Sequence, residues 1–496
     1  MKRIGLFFCV FTGLLFFAFT ALAQEPADAM DNSASVAVKI DSRLELFVDD
    51  FITGSFDGTA LRLHEPEDKG PVLHFDQPWE GPFCAYVTVL FDGTKYRMYY
   101  RGGPSVGKGD NSDEQTCYAE SDNGIDWKKP NLGLYDWNGI KENNIIYDDD
   151  ANISHNFAPF YDTNPNARPE EKYKALGGSE KVGLVAFVSA DGVHWKKMQD
   201  SPVAQHKNYA CDSQNVSFWS ESEGKYLCYL RVWGSYWSGF RSVARIESDD
   251  FRTWTPEGGL FMTYGDTTRE HLYTNQTTPY FRAPQIYLAT AARFLPKKTV
   301  ITPQEAARCE VVKGYDNDCS DCVLMSTRGG SVYARTFMEG LIRPGTDPGD
   351  WVSRTNYPAR GIVQTGPEEM SMFAQKFYAQ PRAALHRYTW PLDRIVSVNA
   401  PYAGGEFKTK PLIFSGSDLY INANTSAPGS IQIELLDETG KPIPGFELEN
   451  SPSLTGNWIE KKVTWAGEKS AAELAGKPVI LHFVMKDADL YSIRFK

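Results

Sequence analysis

Acidic, amide and imidazole side chains recur just ahead of strand-like runs in this chain. "FDQPWEGPFCAYVTVLFDG" carries Asp76 and Glu80, "ISHNFAPFYDTNP" carries His155, Asn156 and Asp162, and "YACDSQNVSFW" carries Asp212, Gln214 and Asn215. Further on, "LYTNQTTPYFRAP" supplies Tyr273, Asn275, Tyr280 and Arg282, and "VQTGPEEMSMFA" supplies Glu368 and Glu369. Carboxyl groups gathered from distant points of a chain can cleave a glycosidic bond. One protonates the leaving oxygen, and a second acts as base or nucleophile across the sugar ring. On this reading Glu80 and Asp212 are the acid–base pair and Glu369 is the third carboxylate. Glu368, His155, Asn156, Gln214 and Asn275 are placed to bind substrate, with Trp79, Tyr99, Tyr209 and Trp219 as stacking surfaces.

Such groups meet only if the fold brings them together, and the sequence contains a repeat that does so. Ser121-Asp-Asn-Gly-Ile-Asp-Trp127, Ser189-Ala-Asp-Gly-Val-His-Trp195 and Ser248-Asp-Asp-Phe-Arg-Thr-Trp254 share one frame. Each follows a strand-like pair, "KYRMYYRGG", "KYKALGG" or "KYLCYLRVWG" and then a second run ending in the motif. An eroded fourth copy covers "IYLATAARF" and "CVLMSTRGGSVYAR", and a fifth begins near "MFAQKFYAQPRAALHRYTW". Units of four strands that cannot bury both faces alone predict a β-propeller. The reading is all-β: a signal segment at 1–23, a five-bladed propeller over 24–405, and an antiparallel β-sandwich over 406–496. The motif itself is then a hairpin turn, with Asp191 and Asp250 as scaffold and Trp packed between sheets. Arg101 and Arg231 end equivalent strands of the first and third units. With Arg328 and Arg354 they form ion pairs or hold an anionic substrate group such as a uronate or sulfate ester.

Composition narrows the partners. The net charge is −12, and losing Lys2 and Arg3 with a signal peptide makes it more negative still. Nucleic acid and anionic membrane surfaces need clustered Lys and Arg, which are absent. Lys2 and Arg3 precede an apolar run, and Ala21-Leu22-Ala23 offers a cleavage site before Gln24, so a secreted or periplasmic protein is expected. Seven cysteines follow that point. Cys309, Cys319 and Cys322 cluster in "CEVVKGYDNDCSDC", where a disulfide is plausible in an exported chain and a fourth zinc ligand is missing. No P-loop, zinc-protease or nucleophile-elbow motif occurs, and no metal or cofactor is expected.

The "LELFVDDFITG", "YRMYYRGG", "YAESDNGIDWKKPNLGL" and "AFVSADGVHW" segments, with the C-terminal strands, resemble the five-bladed propeller proteins related to glycoside hydrolase families 32, 43 and 117. The resemblance implies an exported enzyme of polysaccharide breakdown with a carboxylate trio from the first three blades. Here Glu80 or Asp76 stands for the first, His155-Asn156 replaces the second, and Asp212 stands where those families place Glu. Some relatives hold calcium in the channel, on which the sequence is silent. A glycoside phosphorylase using Arg101, His155 and Arg231 for phosphate, a sialidase-like enzyme and a non-catalytic glycan binder are the alternatives. The oligomeric state is not legible.

Overall fold

Short runs of β-branched and aromatic residues, broken by Gly, Asn, Asp and Pro, form strands here because such side chains fit a pleated surface. The computed structural model describes residues 37–104, 113–233 and 239–496. The predicted signal segment and its cleavage point lie outside the described residues. Five separate sheets are the blades of a propeller. The first blade runs through Ala85–Phe91, Tyr96–Gly102, Gln115–Ser121 and Ile145–Tyr147. The second comprises Ala158–Tyr161, Tyr173–Ser179, Gly183–Ser189 and Lys196–Lys197, and the third Val216–Ser220, Lys225–Val232, Ser242–Ser248 and Thr255–Phe261. The fourth is built on Thr278–Tyr280, Ala283–Leu295 and Cys319–Thr327, matching the eroded repeat. The fifth uses Tyr357–Pro358, Glu369–Lys376 and Ala384–Pro391, and takes its outermost strand, Glu67–His74, from ahead of the first blade.

The repeated turn has one geometry in all three copies. Ser121, Ser189 and Ser248 accept at Oγ from the backbone N–H of Gly124, Gly192 and Phe251 at 3.0, 2.9 and 2.9 Å. Asn123, Asp191 and Asp250 each accept two further backbone N–H groups, satisfying the turn locally. The fourth residue of the motif is left-handed, with φ of 73° at Gly124, 77° at Gly192 and 65° at Phe251. The tryptophans then fill the seams between blades. Trp127 meets Phe373 of the fifth blade edge-on at 5.9 Å, and Trp195 meets Tyr99 of the first at 6.2 Å. Trp254 packs on Phe251 at 5.2 Å within the core shared by the second and third blades. Trp254→Ala is expected to cost about 3–5 kcal/mol, read as a lower urea midpoint with an unchanged slope.

The C-terminal strands do not stand alone. Leu419–Leu436 and Pro478–Phe495 pair along most of their length in a ten-stranded sheet system. That system also takes in Val38–Asp41, Glu45–Leu46, Thr53–Asp57 and Ala60–Leu63 from the N-terminal side. Propeller and sandwich therefore interleave in sequence, and the ring itself begins with Glu67–His74. Their apolar faces share one core, in which Phe407, Phe483 and Ile433 join Met370, Met372 and Trp390 of the fifth blade. The seven cysteines among the described residues are all free thiols, with Cys319 and Cys322 buried on one strand.

Candidate active site

The first strand of each blade starts at the same end of the central channel. In the first blade the antiparallel second strand returns there, pairing Ala85 with Arg101, and in the third Tyr209 bridges Val232. Segments leading into the first strands thus converge at one mouth. The channel below it is filled. Gln214 Nε2 donates to Thr88 Oγ1 at 2.7 Å, and Gln276 Nε2 donates to Gln214 Oε1 at 2.7 Å and the Pro358 carbonyl at 2.9 Å. Arg360 reaches across from the fifth blade to the carbonyls of Pro159 at 2.9 Å and Ser217 at 2.8 Å. Burial without a carboxylate partner brings its pKa down to about 10. A guanidinium and amide N–H groups in the channel are the wrong chemistry for calcium, so the residues present do not fit that ion.

Above this plug, the Asp212 carboxylate reaches solvent. Its side chain is 48% exposed and pairs with Arg231 at 3.1 Å, while Arg231 itself is buried. Beside it, His155 Nδ1 lies 2.6 Å from Glu114 Oε2. A carboxylate oxygen accepts, so Nδ1–H donates, and the 3.2 Å approach of Arg101 to the same nitrogen is a close contact of two donors. The other nitrogen, Nε2, lies 3.4 Å from the Asp212 carbonyl, on the side of the mouth. Glu114 is fully buried and paired with Arg101 at 3.3 Å, an arrangement that fixes ring orientation and tautomer. Tyr86 donates to the Asp212 carbonyl at 3.1 Å, and its ring carries Arg101 at 4.8 Å. Tyr86, Cys211 and Arg354 hold left-handed backbone at φ of 54°, 50° and 57°, the kind of local strain that collects at working sites.

Several expectations need correction. Glu80 is fully buried, with Oε1 accepting from Tyr100 at 2.5 Å and Oε2 from Lys129 at 2.7 Å. It belongs to a closed structural set below the first blade's loop and offers no free oxygen to a substrate. Glu369 sits at the other end of its strand, paired with Arg387 at 2.7 Å, and Glu368 is exposed beside it in a cleft with Arg282 and Arg394. The three carboxylates do not form a trio. Asn156 is buried and donates to the Gly178 and Cys211 carbonyls, so it positions Asp212 from beneath. Gln214 is part of the plug, and buried Asn275 binds the Tyr229 carbonyl at 3.3 Å and the Thr277 N–H at 3.0 Å. Arg101, His155, Arg231 and Asp212 do meet at the mouth. Of the stacking candidates, Trp79, Tyr99 and Tyr209 are core residues. Trp219 lines a cavity of about 690 Å³ at the opposite end of the channel, with Phe91, Tyr161 and Phe281. Arg328 binds Glu45 and Asp49 of the N-terminal segment instead.

Sequence reasoning missed Glu114, Arg241, Trp233 and Tyr86. Gly102 pairs with Gln115 and Val232 with Ser242, so Glu114 and Arg241 occupy equivalent places just ahead of the third strands. The hairpin partners of Arg101 and Arg231 were the available signal. Trp233 is 45% exposed, and its ring centroid lies 5.7 Å from the Arg231 guanidinium and 5.1 Å from that of Arg241.

The class defined by this fold is plain: the chain is a five-bladed β-propeller carrying a β-sandwich. No protein-family model matches it, and no curated protein does. Solved structures do match. A protein described as a glycoside hydrolase is 12% identical, over 66% of this chain and 92% of its own, with a TM-score of 0.45. A fructofuranosidase from Schwanniomyces occidentalis is 9% identical over 85% and 96%, with a TM-score of 0.38. A family 43 arabinoxylan arabinofuranohydrolase from Bacillus subtilis is 10% identical over 85% and 97%, also at 0.38. These likenesses concern fold alone, and the mouth is assigned from its own contacts.

Proposed function

We propose that the protein is an exported glycosidase that cleaves plant or algal glycans at this mouth. The observation that carries the reading is the half-exposed Asp212 carboxylate beside a His155 ring oriented by buried Glu114. Glycosidic cleavage needs one group to protonate the leaving oxygen and another to take a proton from the attacking water. Asp212 and His155 Nε2 are the two proton-exchanging groups, and Trp233 offers an apolar face to a sugar ring. The C–O bond to the leaving group breaks, a C–O bond to water forms, and the two protons balance. Export rests on the charged, apolar and small-residue order of residues 1–23, and an N-terminus at Gln24 in the mature protein is its check.

The test is reducing-end release from a panel of plant and algal polysaccharides, with and without inorganic phosphate. Release without phosphate is expected. Turnover only with phosphate replaces hydrolysis by phosphorolysis, and binding across the panel without release makes the propeller a glycan-binding module.

A further inference from the structure

Around Tyr273 the protein concentrates arginines in excess of the carboxylates paired with them among the described residues. The Arg231 guanidinium lies 4.4 Å from the Tyr273 ring centroid, Arg241 4.8 Å and Arg354 5.5 Å. Arg101 stands next to them, donating to the Tyr378 hydroxyl at 3.3 Å, and Arg354 lies 5.8 Å from that same ring. Among the described residues, Arg101 pairs with Glu114 and Arg231 with Asp212, while no ion pair joins Arg241 or Arg354 to a carboxylate. The Nε–H groups of Arg231 and Arg241 find no acceptor among the described residues, and Arg231 is 2% exposed.

This arrangement is costly unless something balances it. Like charges confined near a low-dielectric wall repel, and unpaired buried donors lose their hydration. The cost is visible on Arg241, whose pKa is lowered first by burial and then by Arg231. It is visible on Tyr273 too: burial works to raise its pKa, yet Arg354 and Arg231 bring it down to about 8. All of this sits in a protein whose net charge is −12. Aromatic faces relieve part of the repulsion by cation–π contact. A planar or tetrahedral oxyanion would relieve more, because guanidinium forks match its geometry with paired N–H donors.

We propose that Arg231, Arg241 and Arg354, arrayed around Tyr273, bind an oxyanion carried by the substrate, a sugar carboxylate or a sulfate ester. The inference rests on the reading that the mouth accepts a glycan, and it makes that glycan acidic. Trp233, stacked against Arg231 and Arg241, would receive the ring that bears the charge.

The test measures binding of trigalacturonate, galactose 6-sulfate, inorganic sulfate and neutral galactotriose by calorimetry. The wild type is expected to bind at least one oxyanion probe at least ten-fold more tightly than galactotriose, and sugar-borne sulfate or carboxylate more tightly than inorganic sulfate. Arg354→Gln and Arg241→Gln should each lose that preference ten-fold or more. Should either variant fail to fold, the wild type still decides through pH and salt. The groups facing Tyr273 are Arg101, Arg231, Arg241, Arg354, Asp212, Tyr86, Tyr357 and Tyr378, with His271 behind Arg241 at 3.5 Å. Tyr273 loses its proton as pH rises through about 8, adding negative charge beside the ligand, so oxyanion binding should weaken between pH 7 and 9. Added chloride should weaken it as well. Equal affinity for galactotriose, or oxyanion binding indifferent to both arginine substitutions, to pH and to salt, overturns the proposal, as does failure of every oxyanion probe to bind. Inorganic sulfate binding as tightly as the sugar-borne groups leaves an anion site without a glycan and also counts against it. Oxyanion binding with no glycan turnover removes the glycosidase reading and leaves this site standing; turnover confined to neutral glycans does the reverse.

Discussion

Asp212→Asn is expected to lower turnover by about 10²–10⁴-fold, the range that a positioned proton-transfer group contributes. The amide keeps the size of the side chain and can still accept from Arg231, so the mouth should retain its shape. Stability should fall by about 1–3 kcal/mol, because buried Arg231 keeps a hydrogen-bond acceptor but loses the charge of its carboxylate partner. The comparison to make is turnover against unfolding midpoint in one preparation. A variant with full turnover would take proton transfer away from Asp212. Lost turnover together with a collapsed midpoint would assign Asp212 to the scaffold.

Glu80→Gln should show the opposite pattern. The Glu80 side chain is fully enclosed and accepts from Tyr100, Lys129 and the Gln77 N–H at 2.5, 2.7 and 3.0 Å. An amide brings an N–H₂ group into a site where every neighbour already donates, and it leaves Lys129, 17% exposed, without its buried partner. Breaking a buried pair in this way costs about 3–5 kcal/mol. Turnover per folded molecule should be unchanged, since none of these partners belongs to the mouth. Urea unfolding and an activity assay on the folded fraction read the two quantities separately. Lost turnover in a variant of normal stability would return Glu80 to the chemistry.

The two carboxylates looked alike in the sequence, and the reason they part is instructive. Both precede a blade's first strand by a few residues. What separates them is a lysine 49 residues beyond Glu80, which turns inward and captures it. No local pattern announces that encounter. The same holds for Asn156, Gln214 and Asn275, whose amides looked suited to hydroxyl recognition but are consumed by backbone groups and by one another. The propeller was legible because its signal is local: Ser, Asp or Asn, a left-handed position and Trp satisfy one turn within seven residues. Arg101 and Arg231 stood out because the repeats put them at matching strand ends, and His155 and Asp212 because each lies a few residues ahead of a blade's first strand. Glu114 and Arg241 needed the hairpin pairing, which the repeat implied but composition obscured.

The latch of the ring has a consequence for biosynthesis. Asp68, in the strand that completes the fifth blade, contacts His386, 318 positions later. That segment leaves the ribosome early and stays without its partner strand until Ala384–Pro391 has been made, exposing an unpaired edge that invites association with other nascent copies. Chaperone dependence and poor recovery of prematurely terminated products are the expected signs.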